Sequence, residues 1–96
     1  MTRSRASSAE IAETADSLSK SMLLKLEENS HKPHWLDESL SDLVKMLDLE
    51  VEELKESLIN QNDENSMLEC ADIANFCMFI HSKIERIIEN KKNQLL

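Results

Sequence analysis

Residues 67–80 of this chain read Met-Leu-Glu-Cys-Ala-Asp-Ile-Ala-Asn-Phe-Cys-Met-Phe-Ile, and this stretch decides the fold. It is apolar on nearly every side and contains neither Gly nor Pro, which is typical of a helix that is buried all round. Two acids, Glu69 and Asp72, interrupt it. Because a charge in an apolar setting needs a partner, these carboxylates are the first residues with an indicated role beyond solvation.

The rest of the chain also has the pattern of helices. The 96 residues include no Gly and one Pro, and apolar residues recur at spacings of three and four. We predict an all-α fold of three main helices, starting near residue 7, near 36 or 39, and at 63 or 66, with a polar turn at 61–65. Residues 1–6 are expected to be a flexible tail, and residues 7–96 a single helical domain.

A chain of this length covers the third helix poorly, because only two other helices are available. Burial improves with chain size, and a small domain often completes its core with a second subunit. We therefore expect the helical bundle to be completed by oligomerisation, as a homodimer or homotetramer.

Composition excludes several classes of function. Eleven Lys and Arg stand against 19 Asp and Glu, for a formal charge of -8, so a nucleic-acid surface is not expected. Without Gly, the Rossmann and P-loop turns are excluded. Met1 is not followed by the apolar stretch of a signal peptide, and no window has the length of a membrane span. We expect a cytoplasmic protein without a membrane partner.

The cysteines and two of the histidines do not suggest a metal or a disulfide. Cys70 and Cys77 are seven residues apart on one helix, which separates their Cα atoms by about 10 Å, too far for a disulfide. We expect two buried thiols. A Pro separates His31 from His34, which prevents a helical pair, so a zinc site is not proposed.

Two acidic pairs carry the chemistry. Glu50 and Glu53 are three residues apart on the second helix, as are Glu69 and Asp72 on the third, so each pair shares a helical face. If these helices pack antiparallel across the short turn, the pairs meet at one level. Four converging carboxylates raise each other's pKa unless cations neutralise them, and oxygen ligands favour Mg²⁺ or Mn²⁺.

Other interpretations of the same acids remain open. Ser66-x-x-Glu69 is a possible capping box, which would make Glu69 a structural residue at a helix start. Glu50 and Glu53 could belong to a solvated face beside Glu52 and Lys55.

Trp35 and three lysines are also open to two interpretations. Trp35 either caps the core between the first two helices or stacks on a base. Lys25, Lys32 and Lys83 are candidate phosphate contacts, although most lysines are simply solvated, and Lys83 would reach only a distal part of a ligand.

A family resemblance rests on these motifs. Leu49-Glu50-Val51-Glu52-Glu53-Leu54, followed by residues 68–75, resembles the ExxE and ExxD signature of MazG-like, all-α nucleoside triphosphate pyrophosphohydrolases. Lys25-Leu26 and residues 29–35 resemble the segment before the first acidic helix in small members, including those carried by phages and mobile elements. The resemblance covers residues from about 20 to 90.

The resemblance implies an activity and a set of site residues. Mg²⁺ would be held by Glu50, Glu53, Glu69 and Asp72 while water attacks the α-phosphorus, giving a nucleoside monophosphate and pyrophosphate. Glu53 would orient or deprotonate the water. The family likeness also implies substrate-binding roles for Lys25, His31, Lys32, Trp35, Asn75 and Phe76, with Phe76 near where relatives often have Tyr.

We therefore expect a cytoplasmic, homo-oligomeric enzyme that hydrolyses nucleoside triphosphates, chiefly deoxynucleotides, in nucleotide-pool housekeeping. Two alternatives remain. A related all-α pyrophosphohydrolase would act on dUTP, dCTP or phosphoribosyl-ATP. A non-enzymatic acidic helical interaction module would use the same acids only for solvation.

Overall fold

A computed structural model describes residues 4–30, 32 and 34–94. It contains the three helices α1 (Ser8–Glu28), α2 (Leu40–Ile59) and α3 (Asp63–Gln94), with one 3-10 turn at Trp35–Asp37 between α1 and α2. Within those described ranges there is no β-strand. The prediction of an all-α chain with three main helices is confirmed, and the helix boundaries lie close to those indicated by the sequence.

Serine hydroxyls cap the N-termini of the first two helices. Ser7 Oγ accepts a hydrogen bond from Glu10 N at 3.1 Å, and Glu10 Oε1 accepts one from Ser7 N at 3.4 Å, which completes the predicted capping box. Ser39 Oγ accepts from Asp42 N at 3.0 Å. These bonds satisfy backbone N–H groups that have no partner inside the helix.

Asn62, rather than Ser66, caps the N-terminus of α3. Asn62 Oδ1 accepts a hydrogen bond from Asn65 N at 3.2 Å, so Ser66 lies inside the helix. The Ser66 hydroxyl is buried and lies 2.8 Å from the Ser57 hydroxyl of α2, which ties the two helices together next to their turn. The capping-box interpretation of Glu69 is therefore wrong, because the capping residue lies four residues earlier and Glu69 belongs to the second turn of the helix.

The third helix is the central element. It packs against both α1 and α2, and among the described residues the fully buried apolar side chains are those of Leu43 on α2 and Ala71 on α3. With 32 residues, α3 is about 48 Å long, compared with about 30 Å for the 20 residues of α2. Its C-terminal third thus extends past the helix it packs against.

One face of α3 remains open to solvent. Met67 and Met78 are exposed, and so are both cysteine residues, which are free thiols. The expectation of buried thiols is wrong for a single chain, because Cys70 and Cys77 lie on the part of α3 that packing against α1 and α2 leaves exposed. None of the helices in the described ranges combines the length and apolarity that crossing a bilayer requires.

Candidate functional site

Three carboxylates converge between α2 and α3. One oxygen from each of Glu50, Glu69 and Asp72 lies within 4.8 Å of the others, and all three residues are half-buried. The tight turn after α2 makes the two helices antiparallel neighbours, which brings the acidic pairs to one level. The structure therefore brings together three of the four acids that the sequence singles out, and Glu53 lies close by.

Glu53 lies one helical turn after Glu50 and is exposed. Its charge contributes to raising the pKa of Glu50, Glu69 and Asp72, so it is near all three. It also lies on the wall of the cavity described below. Of the four acids, Glu53 is thus accessible to solvent, whereas Glu50, Glu69 and Asp72 are half-buried.

The cluster resists ionisation. Burial raises the pKa of Glu50 to about 8, helped by its contact with the Glu69 carboxyl and by the charges of Asp72 and Glu53. Burial also raises the pKa of Glu69, although the contact with Glu50 partly offsets this effect. Burial raises the pKa of Asp72 as well, against the lowering effect of Lys25. Near neutral pH Glu50 therefore retains its proton unless a cation is present.

The chemistry of the cluster fits a divalent cation. Glu50 Oε2 and Glu69 Oε2 are both buried, and neither has a hydrogen-bond partner among the described residues. A buried carboxylate oxygen without a partner is costly, and a metal ion or a shared proton would satisfy it. The donors are all carboxylate oxygens, which suits Mg²⁺ or Mn²⁺ rather than Zn²⁺.

Lys25 of α1 is the cation closest to this cluster. Its Nζ lies 3.5 Å from Asp72 Oδ2 and 3.6 Å from Glu28 Oε2. Burial lowers the pKa of Lys25, but the charges of Asp72 and Glu28 outweigh it, so the pKa is raised and the lysine stays charged. Lys25 thus neutralises part of the negative charge that the acids create.

A cavity of about 660 Å³ opens beside the carboxylates. Glu50 and Glu53 lie on its wall, and Glu50 also belongs to the carboxylate cluster, so the cavity and the cluster are connected. Other polar residues on the wall are Lys25, Lys32, Asn29, Ser30, His34, Glu38 and Asn75. Its volume lies within the range of about 300–1,000 Å³ that is typical of small-molecule sites.

Aromatic rings line another part of the cavity. Trp35 stacks on Phe79 of α3, with ring centroids 4.9 Å apart and 8° between the planes, and Phe76 meets Phe79 edge-on at 5.7 Å. The ring of His34 stacks on Trp35 at 4.1 Å. Trp35 therefore packs against the third helix, not between the first two, and two rings already stack on its indole.

Lys83 has a structural role. Its Nζ donates hydrogen bonds to the backbone carbonyls of Leu36, at 3.4 Å, and of Glu38. The interpretation of Lys83 as a phosphate contact is therefore wrong, because its ammonium group holds residues 36–38 against α3.

Asn75 links α1 to the cavity wall. Its Nδ2 donates to Met22 O at 3.0 Å, and because a carbonyl only accepts, this bond fixes the orientation of the amide. The other amide atom, Oδ1, is buried without a partner among the described residues, as is Trp35 Nε1.

Of the other predicted substrate-binding residues, Lys25, Lys32, Trp35, Asn75 and Phe76 all line this cavity, and His31 lies outside the described residues. The site residues predicted from the sequence do not include Phe79, which stacks on Trp35 and lines the cavity. The signal was present, because Phe79 lies seven residues after Asp72 and hence on the same face of α3.

Comparison of the chain with protein-family models, with curated proteins and with solved structures finds no match.

Proposed function

We propose that this protein is a metal-dependent nucleoside triphosphate pyrophosphohydrolase, which converts a ribo- or deoxynucleoside triphosphate to the monophosphate and pyrophosphate. One observation carries the proposal: a half-buried carboxylate cluster with unpartnered oxygens adjoins a cavity that also has lysines and aromatic rings on its wall. The motif resemblance to MazG-like enzymes supports the same reaction class.

The cavity matches the parts of such a substrate. Lys25 and Lys32 supply positive charge on the wall for a polyphosphate. The aromatic part suits a base, and two residues of this wall, Asn75 and Trp35, each have a buried polar atom, Oδ1 and Nε1, without a partner among the described residues. Because a buried polar atom without a partner is costly, a ligand that bonds to it is favoured over one that does not.

The burial and charge of the residues support a division of roles among them. When bound, a divalent cation would polarise the phosphate and lower the pKa of a coordinated water. Glu50, Glu69 and Asp72 would hold it with carboxylate oxygens. Glu53 is the candidate to orient the water and accept its proton, because it is exposed on the cavity wall beside the other acids. Lys25 would exchange part of its contact with Asp72 for a phosphate oxygen.

The test is release of pyrophosphate and orthophosphate from a panel of ribo- and deoxynucleoside triphosphates, with Mg²⁺ and with a chelator. We expect pyrophosphate and the monophosphate in equal amounts, and only with metal. Asp72→Asn and Glu53→Gln should each lower kcat/KM by at least about 100-fold, in line with the loss of a metal ligand or a general base.

Glu52→Gln is the matched control. Glu52 is on the same helix as Glu53, but it is exposed and pairs with Lys55 at 3.2 Å, away from the cluster. This variant should keep the activity of the wild type. No metal-dependent product across the panel and phosphoribosyl-ATP, from protein with native helicity, would contradict the proposal and favour an acidic interaction module.

A further inference from the structure

A continuous stripe of exposed residues runs along α3, on the side opposite the carboxylate cluster. Its members follow one another at alternating spacings of three and four, which is the 3.5-residue period of a helix seam that pairs with another helix. Asp72 and Phe79 lie about half a helical turn away from it. The stripe consists of Met67, Cys70, Ala74, Cys77, His81, Ile84 and Ile88, of which only Ala74 is half-buried and the rest are exposed.

The chain exposes more surface than a compact protein of its mass. Its accessible surface is 7869 Å² for 11.0 kDa, whereas a compact monomer of that mass exposes about 5,600 Å². The excess, about 2,300 Å², is larger than the roughly 800 Å² that each partner buries in a stable complex. There is thus enough open surface for a dimer interface.

One end of the stripe borders a groove between α1 and α3. The groove has a volume of about 420 Å³ and includes Leu18 and Met67, with Glu13 as its charged residue. Glu10 lies one turn before Glu13, on the same side of α1. We call this the α1–α3 groove, and it is lined by Glu13, Thr14, Ser17, Leu18, Ser21, Met67 and Cys70. It is an apolar slot with an acidic end.

The other end of the stripe is apolar and basic, which complements the apolar groove and its acidic end. Ile84 and Ile88 are 44% and 48% exposed on the projecting C-terminal third of α3, although isoleucine is normally buried. Lys91 and Lys92 follow in the last turn of the helix. Residues 84–92 also contain two acids, Glu85, whose Oε1 lies 2.9 Å from His81 Nδ1, and Glu89, but Arg86 and the two lysines outnumber them. This segment therefore presents an apolar ridge with a basic end.

We propose that the occupant of the α1–α3 groove is residues 84–92 of a second copy of this chain. The groove lies at the N-terminal end of α3 and the ridge at its C-terminal end, so one antiparallel, two-fold pairing of α3 with α3 fills both grooves at once. The basic end of each ridge then meets the acidic end of the other copy's groove. Small side chains in the middle of the stripe, at Cys70, Ala74 and Cys77, let the two helices approach closely.

The interface does not depend on the proposed catalysis, because the stripe and the carboxylate cluster are on opposite sides of α3. Its first test is the molar mass by sedimentation equilibrium. The wild type should be a dimer. Ile88→Glu should weaken dimerisation by about 100-fold, as expected for a buried interface residue replaced by a charge.

Ile59→Glu is the matched control, because Ile59 is 79% exposed on α2, outside the stripe and the groove. This variant should remain a dimer, and circular dichroism should show native helicity for both variants. A monomeric wild type at about 100 μM, or equal disruption by both variants, would overturn the proposal.

Cross-linking tests the direction of the pairing. Cys77 is nearest the middle of the stripe, so a short bifunctional maleimide should join Cys77 to Cys77 of the partner subunit. Cys70→Ser should keep this cross-link and Cys77→Ser should lose it. In a parallel pairing, each cysteine would lie next to the same cysteine of the partner subunit, so Cys70 could also be cross-linked. A cross-link that persists in Cys77→Ser would therefore refute the antiparallel arrangement.

Discussion

Glu50 belongs to both the carboxylate cluster and the cavity wall, and its electrostatics set the behaviour of the metal-free protein. Its pKa is raised to about 8, chiefly by burial and then by its carboxylate neighbours. The folded state therefore favours the protonated form of Glu50, whereas the unfolded chain ionises at an ordinary pKa near 4.5.

This shift gives Glu50 a pH-dependent effect on stability with a definite sign. Between the unfolded and folded pKa values the native state binds more protons, so the free energy of unfolding falls as pH rises through this range. Glu50→Gln removes the group and should stabilise the metal-free protein by about 1–2 kcal/mol above the folded pKa. Solvent screening of this half-buried site keeps the effect below the full value of the shift.

Urea unfolding with a chelator present, at about pH 5 and about pH 9, measures the effect. The advantage of Glu50→Gln over wild type should be small at the lower pH and grow at the higher one. Glu52→Gln, whose carboxylate is exposed, should show no such growth. A Glu50→Gln variant that is less stable at the higher pH would mean that the carboxylate is stabilised by groups other than those described.

At the scale of elements, the segment from His34 to Glu38 forms one side of the cavity although it is only a short turn between α1 and α2. It is held by Trp35 stacking on Phe79 and by Lys83 donating to two backbone carbonyls. Both Phe79 and Lys83 are on α3, so the third helix supplies the support for this wall as well as two of the carboxylates.

Lys83→Met should loosen this wall without unfolding the chain. The substitution keeps the length of the side chain but removes the charged donor, and hydrogen bonds from charged groups contribute about 1.5–3 kcal/mol to the structure they hold. Because Trp35 is the only tryptophan, its fluorescence reports on this segment directly. Quenching by acrylamide should rise in Lys83→Met, while far-ultraviolet circular dichroism stays the same.

Lys45→Met is the control, because Lys45 is an exposed lysine of α2 that lies neither on the cavity wall nor in the ion pairs described. It should leave the fluorescence of Trp35 unchanged. Equal quenching in the wild type and Lys83→Met would show that the stacking on Phe79 holds the turn by itself.

The elements could be predicted from the sequence because their signals are local. Apolar spacing, the serines at 7 and 39 and the polar turn after α2 determine the helix boundaries within a few residues. The proximity of Glu50 to Glu69 and Asp72 could also be predicted from the sequence, because two helices joined by a short turn pack as antiparallel neighbours.

Other features depend on packing that the sequence does not encode locally. The start of α3 at Asp63 is fixed by Asn62, and the pairing of Ser57 with Ser66 is visible only once α2 and α3 are side by side. The stacking of Trp35 on Phe79 joins residues far apart in the chain. The exposure of the cysteines reflects which face of α3 the other two helices leave uncovered.

At the scale of the whole molecule, a single chain is extended. Its radius of gyration is 16.6 Å, compared with about 12–13 Å for a compact domain of this length. Few side chains are fully buried, and several large apolar residues are exposed on all three helices. The proposed pairing of α3 with its copy would cover part of this exposed apolar surface.

Cation binding by the carboxylate cluster is the property on which the proposed function depends. Calorimetric titration of the nucleotide-free protein with Mg²⁺ or Mn²⁺ measures it directly, and Glu52→Gln provides the control. We predict saturable binding by the wild type and by Glu52→Gln, and at least about tenfold weaker binding by Asp72→Asn. No saturable binding by the wild type at millimolar metal, or an equal loss in Glu52→Gln, would contradict a cation site at Glu50, Glu69 and Asp72.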